Sequence, residues 1–173
     1  MTALQDYLRL HAEGDLLTYQ TEVEAAERFS LRYADVEEAA LEMDILPARY
    51  QRNRETLAIE DKLRLLRSHV AVVGCGGLGG YVVELLARLG IGQIIVIDPD
   101  VFEEHNLNRQ LLSTIEAIGI PKVAIGFQRV AEINPVVEVT PVLEGLTKAN
   151  GEALLKGAQV AVDALDNIPA RLE

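Results

Sequence analysis

The 173-residue sequence predicts a doubly wound α/β fold with a mainly parallel sheet, preceded by a small helical extension. Three observations carry this. From His69 onward, short β-branched runs alternate with amphipathic stretches, a glycine-rich turn joins the first run to the first stretch, and the opening 48 residues repeat apolar side chains at helical spacing.

In the extension, residues 1–48, Leu4, Tyr7, Leu8 and His11 share one helical face. Asp15 is placed to cap a second helix carrying Leu16, Tyr19, Val23, Ala26 and Phe29, and Asp35 with Glu38 forms a capping-box pattern before Ala39, Ala40 and Met43. The short helices around Ser30-Leu31-Arg32-Tyr33 resemble a helix-turn-helix. Residues 1–48 hold 11 acidic and 3 basic side chains, however, which opposes DNA reading and points to a structural or partner-docking role. After Leu46-Pro47 the charge changes sign: residues 49–67 hold 6 basic and 3 acidic side chains and lead into a main domain over 49–173.

In that domain Ile59, Leu63 and Leu66 stripe a helix over 55–66 that is expected to pack on the sheet. Residues 70–73 and 93–97 read as strands around an amphipathic helix at 78–89, one βαβ unit. Pro121 opens a helix through Ile133, followed by a strand at 136–139, a short helix at 149–156 and a strand at 159–162. Ligands of such folds bind beyond the carboxyl ends of the strands.

Composition narrows the function classes. A net charge of −11 disfavours a nucleic-acid surface. The single cysteine, Cys75, excludes an intramolecular disulfide or a multi-cysteine zinc site within these residues, and His11, His69 and His105 show no ligand spacing. No window approaches 18 uninterrupted apolar residues, and residues 1–14 have neither a basic leader nor an apolar run, so the expectation is a cytoplasmic protein without a membrane partner.

The turn Gly74-Cys75-Gly76-Gly77-Leu78-Gly79 fits G-x-G-x-x-G between a strand and a helix, where backbone N–H groups can meet a phosphate; a turn that only permits close helix–strand packing is the competing reading. Asp98, 19 residues past Gly79 at the end of the second strand, suits a ribose diol at an exposed sheet edge. These features alone also fit an NAD-dependent oxidoreductase. Arg109 and Lys122 add two cations at the phosphate end, which a triphosphate broken between its α and β phosphorus atoms requires.

With Arg49-Tyr50-Gln51-Arg52-Asn53, Asn106-Leu107-Asn108-Arg109-Gln110, Gly119-Ile120-Pro121-Lys122 and Asp163-Ala164-Leu165-Asp166-Asn167 plus Arg171, these motifs resemble the ThiF/MoeB/HesA branch of the ubiquitin-activating-enzyme superfamily. The resemblance covers about residues 49–173. It implies a Rossmann-like fold and ATP-dependent adenylation of the C-terminal carboxylate of a ubiquitin-like sulfur-carrier protein, in pathways such as thiamine or molybdopterin synthesis. It also implies roles: Gly74, Gly76, Gly77 and Gly79 at the nucleotide, Asp98 on the ribose, Asn106, Arg109, Gln110 and Lys122 around the phosphates, and Asp166 on Mg²⁺. Arg52 would enter the partner's site in a homodimer. Asn53 departs from the glutamine usual there. Family members continue beyond the point matching Glu173, so the chain alone is expected to bind ATP without forming a carrier adenylate. A non-catalytic ATP-binding module and an enzyme adenylating a carboxylate on a modified tRNA remain as alternatives. Cys75 reads as a packing residue.

Overall fold

The computed structural model describes residues 2–166; Asn167, Arg171 and the helix start expected near Ile168 lie outside the described residues. The chain forms two compact units, the first ending at Arg67 and the second beginning at Ser68.

The first unit contains α1 (Ala3–His11), β1 (Leu16–Leu17), α2 (Tyr19–Phe29), α3 (Tyr33–Leu41), β2 (Leu46–Pro47), a 3-10 turn Ala48–Asn53 and α4 (Ile59–Leu66). Thr2 and Gln5 form a capping box on α1. Asp15 does not cap α2: Leu16 and Leu17 pair in parallel with Leu46 and Pro47, so the helix starts later, on Thr18, whose hydroxyl accepts from the Thr21 N–H at 3.2 Å. Asp35 sits inside α3, accepting from the Arg32 backbone N–H at 3.2 Å and from its guanidinium. Leu8, Leu17, Ala25, Val36 and Ala40 are fully or almost fully buried in the core between these helices. The helix over 55–66 appears as α4 and packs against α3, which makes it part of this unit.

A buried charge cluster lies in the same unit. Arg49 ion-pairs with Glu22 of α2 and Glu37 of α3. Desolvation pushes the Glu22 carboxyl up to about 7, against the pull of Arg49 and reinforced by Glu37. Tyr50, by a hydrogen bond, and the Lys62 ammonium also favour the charged form of Glu37. The unfolded chain sheds the Glu22 proton from about pH 4.5 while the folded chain keeps it to about 7, so stability falls as pH rises through that window. Glu22→Gln is therefore expected to gain thermal stability over the parent between these pH values. A melting-temperature difference that stays constant across the window would refute this.

The second unit is a four-stranded parallel sheet in the order β5-β4-β3-β6, built from β3 (His69–Val73), β4 (Gln93–Ile97), β5 (Glu138–Val142) and β6 (Val160–Asp163). Helices α5 (Gly77–Leu89) and α6 (Lys122–Ile133) pack on each other over one face. On the other face Ala71, Val73, Ile95 and Ile97 meet Leu146, Leu154 and Leu155, the last two at the short helix α7 (Gly151–Leu154) and its end. The sheet is thus wound on both sides, as the alternation in sequence predicts. The strand expected at 136–139 begins two residues later. Asn134 donates to the Ala87 carbonyl at 3.1 Å and accepts from the Val136 N–H, so Val136 and Val137 are buried in a turn before β5 starts. Pro141 is tolerated because β5 is an edge strand. Among the described residues no helix is long and apolar enough to cross a membrane.

Candidate functional site

The strand order reverses at β3, since β4 and β5 lie to one side of it and β6 to the other. A cleft opens there beyond the strand ends, with a volume of about 400 Å³, within the range of small-molecule sites. Its lining includes Gly74, Gly76, Gly77, Asp98, Arg109, Gln110, Lys122 and Asp166, which the sequence had already marked.

The glycines divide by role. Gly74 leaves β3 at φ 93°, and a Cβ there would lie 2.9 Å from the Ala164 carbonyl oxygen. A Cβ on Gly79 would lie 1.8 Å from the Gly74 carbonyl oxygen, so Gly79, which does not line the cleft, lets helix and loop close on each other. Gly76 and Gly77 face open space or ordinary contact and sit where α5 begins without a side-chain cap. The first N–H groups of α5 are thereby left for an anion.

Asp98 is only 5% exposed. One of its oxygens accepts from the Cys75 N–H at 2.6 Å and the other from the Asp100 N–H at 2.8 Å. It is a strut that ties the glycine loop to the end of β4, in contrast to the exposed edge position expected. Asp100, part of the Asp98-Pro99-Asp100 motif but given no role from the sequence, also lines the cleft and binds the Lys122 ammonium at 3.0 Å. Asp98→Ala is expected to lower stability by about 3 kcal/mol or more, because two backbone donors lose a charged acceptor. Urea unfolding measures the loss, and a loss below about 1 kcal/mol would refute the strut.

Arg109 is held on the cleft by the His105 carbonyl at 2.9 Å and Asn108 Oδ1 at 3.1 Å. Gln110 is 8% exposed and its Oε1 is buried without a hydrogen-bond partner. Asn106 does not line the cleft; its Oδ1 accepts from the Glu103 N–H at 2.9 Å and closes the turn that leads to Arg109. Asp166 lies exposed just past β6, with no hydrogen bond or ion pair among the described residues. Arg52 lies in the first unit, exposed on the 3-10 turn. Cys75 is buried beneath the loop, where desolvation, with Asp98 nearby, pushes its thiol up to about 12; it is no nucleophile. Glu144 and Leu146 also line the cleft and carried no sequence signal, since they lie in an irregular loop without a hydrophobic period; Leu165 lines it too, from within the motif that begins at Asp163.

Residues 50–173 match the ThiF family. The SAMP-activating enzyme E1 of Haloferax volcanii is 40% identical over 125 residues, covering 71% of this chain and 46% of that protein. The sulfur carrier protein adenylyltransferase of Thermus thermophilus is 40% identical over 112 residues, covering 65% of this chain and 41% of that protein. Among solved structures, the E. coli tRNA N6-threonylcarbamoyladenosine dehydratase TcdA in complex with ATP is similar with a TM-score of 0.66 and 31% identity, over 69% of this chain and 50% of that one. The chain spans half or less of the length of these relatives.

Proposed function

The chain belongs to the ThiF family, and on that premise we propose that it is the nucleotide-binding part of an enzyme that adenylates the C-terminal carboxylate of a ubiquitin-like sulfur carrier, releasing pyrophosphate. The observation that carries this reading is the pair of cations, Arg109 and Lys122, in one cleft with the uncapped start of α5 and the free carboxylate of Asp166. A nicotinamide dinucleotide has no use for that combination. A triphosphate has, because charge builds on the departing pyrophosphate.

The attacking carboxylate is ionised at neutral pH, so catalysis consists of alignment and charge neutralisation with no general base. Gly76 and Gly77 leave room for the phosphates. Asp98 braces the loop and Asp100 is the carboxylate with an exposed face for the ribose. Phosphate oxygens only accept, so Gln110 Nε2 suits them and its orphaned Oε1 suits a hydroxyl donor. Asp166 fits Mg²⁺, which prefers one or two carboxylates with phosphates and waters; the ion would supply charge for the leaving group. Arg52 would act in a homodimer, entering the partner's cleft.

Similarity to ATP-bound TcdA supports a second reading, with a tRNA-linked carboxylate as the substrate. The net charge of −11 favours the protein substrate. Pyrophosphate release by the protein from the complete reading frame is expected with ATP, Mg²⁺ and a sulfur carrier and not with modified tRNA; the opposite pattern would select the second reading, and NAD binding without ATP binding would sink both. Asp166→Asn is expected to bind nucleotide normally without metal but to lose the enhancement by Mg²⁺ in calorimetry. Equal enhancement would remove Asp166 from the metal.

A further inference from the structure

The buried charges of the first unit converge on the turn that carries Arg52. Arg49 lies three residues earlier in the same turn, Ala48–Asn53. Its guanidinium engages Glu22 from α2 and Glu37 from α3, each carboxylate being 1% exposed. Tyr50, also 1% exposed, packs under the Lys62 ammonium at 4.2 Å and beside Arg49. Arg52 contrasts with these neighbours: it is exposed and has no hydrogen bond or ion pair among the described residues.

Desolvating two carboxylates around one guanidinium costs more than apolar packing of the same volume, and Glu22 Oε1 is left without a partner. Packing alone would hold α2 and α3 together. What the charges add is direction, since a guanidinium gripped from two helices fixes the register and orientation of the turn it belongs to.

We propose that Glu22, Glu37 and Arg49 are positioning residues through which the N-terminal helices aim Arg52 at the transferring phosphate. This rests on the reading of Arg52 given above and assigns the acidic extension a part in the reaction. The charges act through the turn and touch neither nucleotide nor carrier.

The test uses the protein from the complete reading frame. Glu22→Met/Arg49→Met removes the guanidinium and one of the two carboxyl groups it engages and leaves Glu37 facing Tyr50 and Lys62. It is expected to fold with a lowered melting temperature, since Glu37 loses its guanidinium, and to bind ATP as the parent does, while kcat for carrier adenylation falls by about 10- to 100-fold, the range set by loss of alignment. Adding Arg52→Ala is expected to lower kcat no further than Arg52→Ala alone. Losses that multiply, or a double variant with parental kcat, overturn the proposal while the reading of Arg52 stands. An Arg52→Ala protein with parental kcat overturns both. Glu37→Gln, which keeps the side-chain shape, is put through the same cycle with Arg52→Ala, so the proposal is decided even where the double variant does not fold.

Discussion

Gly79→Ala is expected to lose both the fold of the loop and the nucleotide. The added methyl would lie 1.8 Å from the Gly74 carbonyl oxygen, a backbone atom that cannot swing aside as a side chain does. Helix α5 and the loop must part, at a cost of about 3 kcal/mol or more by comparison with overpacked cores. The N–H groups at the start of α5 move with the helix, so ATP affinity falls together with stability. Gly77→Ala is the control. Its methyl meets nothing within 4 Å and the helix gains a better former, so this protein is expected to melt at or above the parent temperature yet bind ATP less well, because the methyl occupies phosphate space. Equal melting temperatures for Gly79→Ala and its parent would show that the loop is not closed as described.

Lys122→Met is expected to lower kcat by about 10² to 10³, the scale for removing one preorganised charge from a developing anion. Lys122 is almost fully buried at the start of α6 and held by Asp100 at 3.0 Å, so its ammonium is fixed before nucleotide arrives. The variant leaves Asp100 unpaired, but that carboxylate is mostly exposed and the stability loss is expected to stay near 1 kcal/mol or below. A fall in ATP affinity with kcat unchanged would assign Lys122 to ground-state binding alone.

The βαβ core was legible because its signals are local. The β-branched runs of β3 and β4, the glycines between them and Pro121 before α6 each dictate conformation within a few residues. What was not legible depends on partners distant in sequence. Leu16 and Leu17 have helical periodicity yet pair with Leu46 and Pro47, and only that contact moves the start of α2 to Thr18. The apolar stripe of α4 announces burial but does not say against which element. In the cleft, Arg109 and Lys122 could be picked out by charge. Asp98 was assigned by its spacing to a ligand, whereas its oxygens take the Cys75 and Asp100 N–H groups, a matter of where the loop folds back. Asp100, in the motif Asp98-Pro99-Asp100, had no signal apart from its neighbour, and Glu144 and Leu146 belong to a loop that carries no pattern at all.

The order β5-β4-β3-β6 also dictates a sequence of events in time. Strands β3, β4 and β5 are joined by single helical crossovers, but β6 docks on β3 through a contact such as His69 to Gln159, 90 residues apart. Closing so long a loop is slow, and contacts of high sequence separation form after local ones. The wall of the cleft that carries Asp166 therefore assembles after β3, β4 and β5 have paired. Nucleotide in the proposed site would need that wall in place and so act as a latch on the late-docking strand by mass action, and β6 is expected to gain protection from hydrogen exchange when ATP is added.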